Sequence, residues 1–409
     1  MKLSDIAEAC TIQRGVLDKQ DSGLERFLLP ELPDIQSHAL VVSGIRRCGK
    51  STLLRQFVKK LRRDYFYLNF DDLRLADFSH ADFQLLDRII ADSGAGLLFF
   101  DEIQSAEHWE LYVRQKLDEG FQLVITGSNA SLLSRELGTH LTGRHISKEL
   151  FPFSYTEFCA FTGQEAGFDS LANYLEKGGF PEYLKTGNTD ILTQLQSDIL
   201  YRDIAVRYGL RDAASLRRLF VYLVSNPAQK ISPSRLRQTA GVKSPTTVLE
   251  YVSYFESAYL VNLLPCFAWS VKAQSLAPKK VYIVDPGIIK TSSISFSGNK
   301  GALLENFVYN SLRAKTTDIF YYSDKNEIEC DFILHPHAQA ECIQVCWELS
   351  ADNQEREING LLEAMNFFNQ KEGLILTYNT GDIILTGGKK ISVVPVWKWA
   401  ANNTITRNH

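Results

Sequence analysis

The chain has no long hydrophobic run and almost no net charge. Its longest apolar stretches, such as residues 96–100, are far shorter than the ~20 residues that a membrane-spanning helix needs. The first residues contain no apolar segment like that of a secretory signal. Lys and Arg total 44 and Asp and Glu total 48, so the net charge of −4 excludes a protein that coats nucleic acid through bulk charge. We expect a cytoplasmic protein with no membrane partner.

Disulfides and repeats are also absent from the pattern. The seven cysteines are odd in number and irregularly spaced, which predicts no disulfide framework and a reducing compartment. No internal repeat or low-complexity tract is present. At roughly 150 residues per domain, a chain of 409 residues has room for two or three domains.

A glycine-rich loop stands between a predicted strand and a predicted helix. Residues 38–43 are apolar and β-branched, and the helical spacing of apolar residues begins at Lys50. Residues 44–52 match G-x-x-x-x-G-K-[ST], whose backbone N–H groups turn inward on a polyphosphate. Lys50 would reach the β- and γ-phosphates, and the Ser51 hydroxyl would bind Mg²⁺. The predicted ATP-binding residues are Gly44, Ile45, Arg46, Arg47, Cys48, Gly49, Lys50, Ser51 and Thr52.

Two carboxylates follow the apolar strand at 97–100. The carboxyl end of a strand is where α/β sheets place ligand-binding groups. Asp101 is therefore predicted to hold Mg²⁺ through water, and Glu102 to polarise the attacking water as the general base. An acidic pair of this kind is typical of a hydrolase.

Four further positions near the loop have two interpretations each. Ser128 or Asn129 would contact the γ-phosphate or the attacking water, or would cap a helix at 131–137. Arg144 is either an arginine finger that reaches a neighbouring subunit or an ordinary surface residue. Cys48 is expected to be inert, although a helix N-terminus could depress the pKa of its thiol.

Strands alternate with helices through the first third of the chain. Strand patterns occur near 65–70, 97–100, 121–126 and 145–150, and helical patterns occur near 81–91, 108–119 and 129–137. Such alternation predicts an α/β fold with a mostly parallel sheet.

The ordered motifs at 44–51, 100–104, 126–129 and 141–144, together with 150–158 and 178–182, resemble those of prokaryotic AAA+ ATPases of the archaeal-ATPase-like type. The resemblance implies a P-loop NTPase domain with strand order 5-1-4-3-2, followed by a winged helix and a nuclease-like fold. It also implies ATP hydrolysis between subunits of a homo-oligomer, with Arg144 at the finger position. We predict an ATPase domain at 1–150, a helical lid and winged-helix module at 151–298, and a nuclease-like domain at 299–409.

A basic segment lies in the middle of the chain. Residues 201–243 contain nine Lys and Arg residues and two Asp residues, a local charge of +7. The pattern over 231–260 is helix, glycine turn, helix, with a possible wing hairpin at 258–267. It indicates either a surface for double-stranded DNA or a module that packs against protein. The candidate DNA contacts are Arg235, Arg237, Lys243, Ser244, Thr246 and Thr247.

The last third of the chain is similar to PD-(D/E)xK nucleases. Glu305 lies in a predicted helix, Asp331 in a predicted strand, and Gln344 on the next strand. Cys346 stands where the catalytic lysine of such nucleases belongs, so we predict a degenerate nuclease fold that serves as a scaffold. A zinc site formed by two histidines and two cysteines is the remaining alternative, at His335, His337, Cys342 and Cys346.

These patterns together predict an ATPase that uses ATP and Mg²⁺ and couples hydrolysis to conformational change, with duplex DNA or a protein of unknown identity as its partner. Two alternatives stay open. One is an ATP-dependent switch with little turnover, and the other is a DNA nuclease.

Overall fold

The computed structural model describes residues 1–129, 143–293, 299–337 and 339–405, with the side chains of 403–405 excepted. Two compact units are present. The first comprises residues 1–151 and 257–259, and the second comprises 152–256 and 260–409. The division into three domains stays a prediction.

The first unit is a five-stranded parallel sheet with helices. Its strands are β1 (Ala39–Ser43), β2 (Tyr65–Asn69), β3 (Leu97–Asp101), β4 (Gln122–Gly127) and β5 (His145–Glu149). Its helices are α1 (Leu3–Lys19), α2 (Lys50–Leu61), α3 (Phe83–Ser93) and α4 (Trp109–Asp118), with short 3₁₀ turns at Leu29–Glu31, Leu73–Leu75, His80–Asp82 and Ile103–Ser105.

The strand order is β2-β3-β4-β1-β5, and every pairing is parallel. This is the predicted order 5-1-4-3-2 counted from the other edge. All residues of β1 and β3 are buried, as expected for central strands covered by helices on both faces. The α/β, P-loop NTPase fold class is therefore confirmed. Its consequence for the site is that β1, β3 and β4 end side by side.

The second unit begins with helices and a small sheet. The helices are α5 (Tyr155–Thr162), α6 (Phe168–Lys177), α7 (Pro181–Thr186), α8 (Asp190–Asp198), α9 (Ala213–Ser225), α10 (Pro233–Ala240), α11 (Pro245–Ser257), α12 (Val271–Leu276) and α13 (Pro286–Ser292), with a π-helical segment at Ile199–Val206. The strands are β6 (Lys230–Ile231), β7 (Val261–Leu264) and β8 (Lys279–Ile283), ordered β6-β8-β7 and antiparallel.

The predicted hairpin at 258–267 is wrong. That segment contributes only β7, whose partner β8 begins fifteen residues after β7 ends. The predicted pattern of helix, glycine turn and helix does match α10 and α11. Gly241 ends α10 with φ +72°, and the Arg218 guanidinium caps that end by donating to the carbonyl oxygen of Ala240.

A six-stranded sheet completes the second unit. Its strands are β9 (Ile319–Ser323), β10 (Glu329–Leu334), β11 (Glu341–Val345), β12 (Glu372–Thr377), β13 (Asp382–Thr386) and β14 (Lys389–Pro395), and its helices are α14 (Lys300–Arg313), α15 (Gln354–Phe367) and α16 (Val396–Ile405). The order is β13-β14-β12-β11-β10-β9. The strands predicted around Asp331 and Gln344 are β10 and β11, whereas the sequence analysis missed β13 and β14. Strand β13 is an edge strand whose Ile383 and Leu385 are exposed while only Ile384 packs against the core, so its apolar residues do not alternate with polar ones.

Two glycines allow backbones to meet closely inside the second unit. The N–H of Gly179 donates to Asp285 Oδ2 at 2.7 Å, and its carbonyl oxygen accepts from the N–H of Phe153 at 2.7 Å. A Cβ atom at Gly179 would lie 2.2 Å from the carbonyl oxygen of Phe153, and one at Gly178 would lie 2.0 Å from Asp285 Oδ1. The Gly-Gly-Phe-Pro motif is therefore a packing requirement of this unit.

Within the described ranges, no helix is both long enough and apolar enough to cross a lipid bilayer.

Gly179→Ala is expected to destabilise the second unit by about 3 kcal/mol, because the new methyl group would push Phe153 away and weaken two buried hydrogen bonds. The matched control is Gly301→Ala in α14, where the nearest atom to an added Cβ is 3.9 Å away. The control should be neutral or slightly stabilising. Urea unfolding of both variants measures the difference, and equal midpoints would contradict the packing argument.

Candidate functional site

The loop between β1 and α2 has a backbone that only particular residues tolerate. Gly44 and Gly49 have φ +147° and +100°, and Arg47 has φ +65°. A Cβ atom at Gly44 would lie 2.1 Å from the carbonyl oxygen of Leu150. Both glycines of the motif are thus dictated by the path of the chain. The loop ends where Lys50 begins α2, so a helix N-terminus completes the site.

Lys50 is buried at the base of this loop. Its Nζ donates to the carbonyl oxygens of Gly44 at 3.1 Å and Ile45 at 3.2 Å, and it lies 3.5 Å from Glu102 Oε1. Burial alone would lower the pKa of the ammonium, but the carboxylates of Glu102 and Asp101 outweigh it and raise the pKa. The lysine therefore stays charged.

Asp101 is the last residue of β3 and is fully enclosed. It accepts hydrogen bonds from the hydroxyl groups of Tyr67, at 3.1 Å, Thr126 and Ser51. Burial and the charge of Glu102 raise the pKa of the Asp101 carboxyl, although these hydrogen bonds and Lys50 oppose the rise. Asp101 and Ser51 thus place two oxygen atoms side by side, as a hard cation requires.

Glu102 adopts a left-handed backbone, with φ +49°. Its N–H donates to Thr126 Oγ1 at 2.8 Å, and its Oε2 accepts from Ser128 at 2.9 Å and from Gln104 at 2.5 Å. Burial would raise the pKa of this carboxyl, but Lys50 and the two donors outweigh it and hold the pKa below its usual value. A strained backbone and several fixed donors aim one ionised carboxylate, which is typical of a functional site.

Thr126 is a site residue that the sequence analysis missed. Its hydroxyl group accepts from the N–H of Glu102 and donates to Asp101, so a single side chain orients both acids. The position of Thr126 at the end of β4, beside β3, was the available signal, since neighbouring parallel strands end together. Tyr67 was missed because its contact crosses from β2, 34 residues away.

Arg26 was also missed, and it supports the loop from behind. Its guanidinium is buried and donates to the carbonyl oxygens of Cys48 at 2.8 Å and Phe151 at 2.9 Å. The thiol of Cys48 lies 3.3 Å from the carbonyl oxygen of Leu150. Burial raises the pKa of the Cys48 thiol, which contradicts the alternative of a depressed pKa.

The remaining predicted positions divide in two. Ser128 contacts Glu102, and Asn129 is buried next to it in the chain, whereas the helix predicted at 131–137 lies outside the described residues. Arg144 forms a half-exposed ion pair with Asp118 at the end of α4. Its predicted neighbours 141 and 142 are outside the described residues as well.

The geometry of the loop fits a nucleoside triphosphate with Mg²⁺. A concave backbone, a helix N-terminus and a buried ammonium suit a polyphosphate. The paired oxygens of Ser51 and Asp101 suit the cation, and Glu102 is an ionised base at the same strand ends. The arrangement has every group needed to bind a phosphate ester and to activate water beside it.

The candidate DNA contacts lie in α10, in the α10–α11 turn and at the start of α11. Arg235, Lys243 and Thr246 are exposed, and Arg237, Ser244 and Thr247 are half-buried. The side chains of Arg235 and Lys243 are thus accessible to a phosphate backbone.

The nuclease-like residues surround a lysine that the sequence analysis did not identify. Glu305 and Asp331 are within hydrogen-bond distance of Lys280 on β8, whereas Gln344 contacts Glu357 and Cys346 is a buried thiol. No group of three or more His, Cys, Asp or Glu side chains in the described part of the chain could hold a metal ion, so the zinc alternative is wrong.

Three family models match consecutive parts of the chain. An AAA domain matches residues 36–159, a domain of unknown function (DUF8612) matches 168–297, and another (DUF4143) matches 300–399. An uncharacterized protein of Methanocaldococcus jannaschii is 33% identical over 90% of this chain and 90% of its own length. An uncharacterized protein of Haemophilus influenzae is 31% identical over 78% of this chain and 84% of its own.

Among solved structures, the RuvB Holliday junction branch migration motor of Thermotoga maritima is similar at a TM-score of 0.28 and 15% identity, covering 55% of this chain and 81% of that one. A structure of Drosophila ORC bound to AT-rich DNA and Cdc6 is similar at a TM-score of 0.20 and 14% identity. The similarity covers 64% of this chain and 86% of that one. The family assignment is based on the sequence matches. The Methanocaldococcus jannaschii relative is 33% identical to this chain over nine-tenths of the chain's length. The chain therefore belongs to a family in which an AAA-type P-loop ATPase domain is followed by two domains of unknown function.

Proposed function

We propose that the protein binds ATP and hydrolyses it with Mg²⁺. One observation supports this most strongly. The buried Lys50 ammonium, the Asp101–Ser51 oxygen pair and the ionised Glu102 meet at the ends of three adjacent strands. Such a combination of cation, hard-ligand oxygens and base is what phosphoryl transfer to water uses.

The residues have distinct roles in this proposal. Lys50 and the loop N–H groups hold the β- and γ-phosphates, and Glu102 accepts a proton from the attacking water. Ser51 and Asp101 would hold Mg²⁺, which would neutralise charge at the phosphates. Thr126 is a positioning residue, because it reaches the reaction only through Asp101 and Glu102. Ser128 fixes the Glu102 carboxylate and serves as the sensor.

Conformational coupling is part of the proposal. The loop backbone is attached through Arg26 to the carbonyl oxygen of Phe151, the last residue before the chain leaves the first unit. Leu150 contacts the same loop through Cys48. A shift of the loop on nucleotide binding or phosphate release would therefore move the exit of the chain.

An ATP-dependent switch is the second candidate, and one contact favours it. Glu102 Oε1 lies 3.5 Å from the Lys50 ammonium while its other oxygen accepts two hydrogen bonds. Held in this way, the carboxylate is slow to act on water. The same site would then bind ATP and turn over little.

We further propose a homo-oligomer and a DNA contact. Arg144 is half-exposed and its ion pair with Asp118 is easily exchanged, so it is able to reach the γ-phosphate of a neighbouring subunit. Helices α9 to α11 with strands β6 to β8 have the element order of a winged helix, and the α10–α11 turn carries exposed basic residues. The DNA nuclease alternative has no support in the acid cluster, because a lysine occupies it.

Glu102→Gln is expected to lower steady-state phosphate release by roughly 10²- to 10³-fold, because the general base is lost while the loop is intact. The affinity for a fluorescent ATP analogue should change little. Lys50→Ala is the matched control, and it should lose that affinity. If wild-type release does not exceed that of Glu102→Gln, the motor proposal fails and the switch proposal stands.

Arg144→Ala and Glu102→Gln subunits are each expected to be inactive alone and to regain activity when mixed. An intact site on the first variant would then be completed by the intact Arg144 of the second. Phosphate release is measured against the mixing ratio, with light scattering for assembly. Mixtures that merely average the two rates would show that Arg144 does not act between subunits.

The double variant Arg235→Ala, Lys243→Ala is expected to bind duplex DNA more weakly at every sequence. The slope of log K against log salt should fall by about 2, since two phosphate contacts are lost. Fluorescence anisotropy at several salt concentrations is the measurement, with the exposed Lys398→Ala as control. An unchanged slope would exclude this turn as the DNA surface.

A further inference from the structure

A buried ammonium stands at the centre of the C-terminal acid cluster. The Nζ atom of Lys280 lies 2.9 Å from Asp331 Oδ1, 3.0 Å from Glu305 Oε1 and 3.2 Å from Glu329 Oε1. Only 5% of the Lys280 side chain is exposed. The three carboxylates come from α14 and β10, and the lysine comes from β8. This is the arrangement of ligands around a cation, with an ammonium group in place of a metal.

Two of the carboxylates also accept hydrogen bonds from other donors of the protein. Asp331 Oδ2 accepts from the N–H of Val345 at 3.0 Å, and Glu305 Oε1 accepts from the hydroxyl group of Tyr282 at 2.8 Å. The Gln344 side chain is turned away from the cluster's centre. Its amide donates to Glu357 at 2.7 Å, and its carbonyl oxygen accepts from the N–H of Asp331.

The cluster also has little charge left for a divalent ion. Lys230 forms an ion pair with Glu329, so two ammonium groups face three carboxylates. Burial and the neighbouring Asp331 raise the pKa of the Glu305 carboxyl. The ammonium groups therefore offset most of the negative charge of the cluster, and a divalent ion would have to displace the buried Lys280.

The residues therefore do not fit the metal that a nuclease-like fold implies. We propose that Lys280 occupies the position of the divalent cation and that the C-terminal sheet is a metal-free scaffold that cleaves no phosphodiester. Its ammonium joins β8, α14 and β10 permanently, where a metal would join them reversibly. Removing the lysine side chain should expose the cation position and create a divalent-ion site that requires Asp331.

The test uses the full-length protein free of nucleotide. Free Mn²⁺ is followed by electron paramagnetic resonance during titration of wild type, Asp331→Asn, Lys280→Ala and the double variant. Thermal unfolding is recorded with and without Mn²⁺. Lys290→Ala, which removes a half-exposed ion pair with Glu176 in the same unit, is the control. Any Mn²⁺ held near Asp101 is common to all variants and independent of Asp331.

Wild type and Asp331→Asn should bind equal amounts of Mn²⁺, and Mn²⁺ should shift the unfolding midpoints of both proteins equally. Lys280→Ala should unfold about 10 °C lower, because the buried Glu305 and Asp331 lose their counterion. It should gain one Mn²⁺ per chain and recover several degrees, and the double variant should do neither. Lys290→Ala should behave as wild type.

Asp331-dependent Mn²⁺ binding by the wild type, or Asp331-dependent DNA cleavage, would overturn the proposal. A folded Lys280→Ala protein that gains no Mn²⁺ contradicts it as well. The comparison of wild type with Asp331→Asn needs no lysine variant, so it decides the matter even if Lys280→Ala does not fold.

Discussion

Each unit of the protein contains a buried lysine ammonium whose charge has to be paired with carboxylates. Leaving such a charge unpaired in an apolar interior costs several kcal/mol, so the surrounding elements are obliged to supply acids. In the first unit Lys50 faces Glu102 across 3.5 Å and is otherwise held by two carbonyl oxygens. In the second unit Lys280 has three carboxylate oxygens within 3.2 Å. The two sites thus differ in how easily the ammonium can change partners.

That difference separates the proposed catalytic site from the structural ion cluster at Lys280. Lys50 contacts two loop carbonyl oxygens and one carboxylate at 3.5 Å. A triphosphate can replace these contacts, because its negative charge exceeds that of the one carboxylate. The acids there are oriented by Thr126 rather than by the lysine, so they keep their places when the lysine changes partners. At Lys280 all three acids bind the ammonium directly, and Val345, Tyr282 and Lys230 hold the same acids, so the ammonium has fixed partners.

How much the sequence could predict follows from the same contrast. The phosphate loop and the acids after β3 are local patterns, and the strand order was implied by the family resemblance. Thr126, Tyr67, Arg26 and Lys280 act across distances of 22 to 125 residues, and no local spacing marks them. The wing hairpin was misplaced because the strand that pairs with β7 begins fifteen residues after β7 ends. Cys346 replaces the lysine that the nuclease resemblance predicts. The ammonium group beside Asp331 belongs instead to Lys280, on another strand.

The position of Lys280 also bears on how a conformational change could travel. Strand β8 pairs with both β6 and β7 in the small sheet. Its Lys280 also binds Glu305 on α14 and Asp331 on β10, a strand of the large sheet. Asp285, just after β8, is bound to Gly179 in the helical segment. Relative movement inside the second unit would have to break these buried contacts together. In the proposed coupling, a displacement that reaches Phe151 would therefore act on the second unit as a whole rather than on one of its elements.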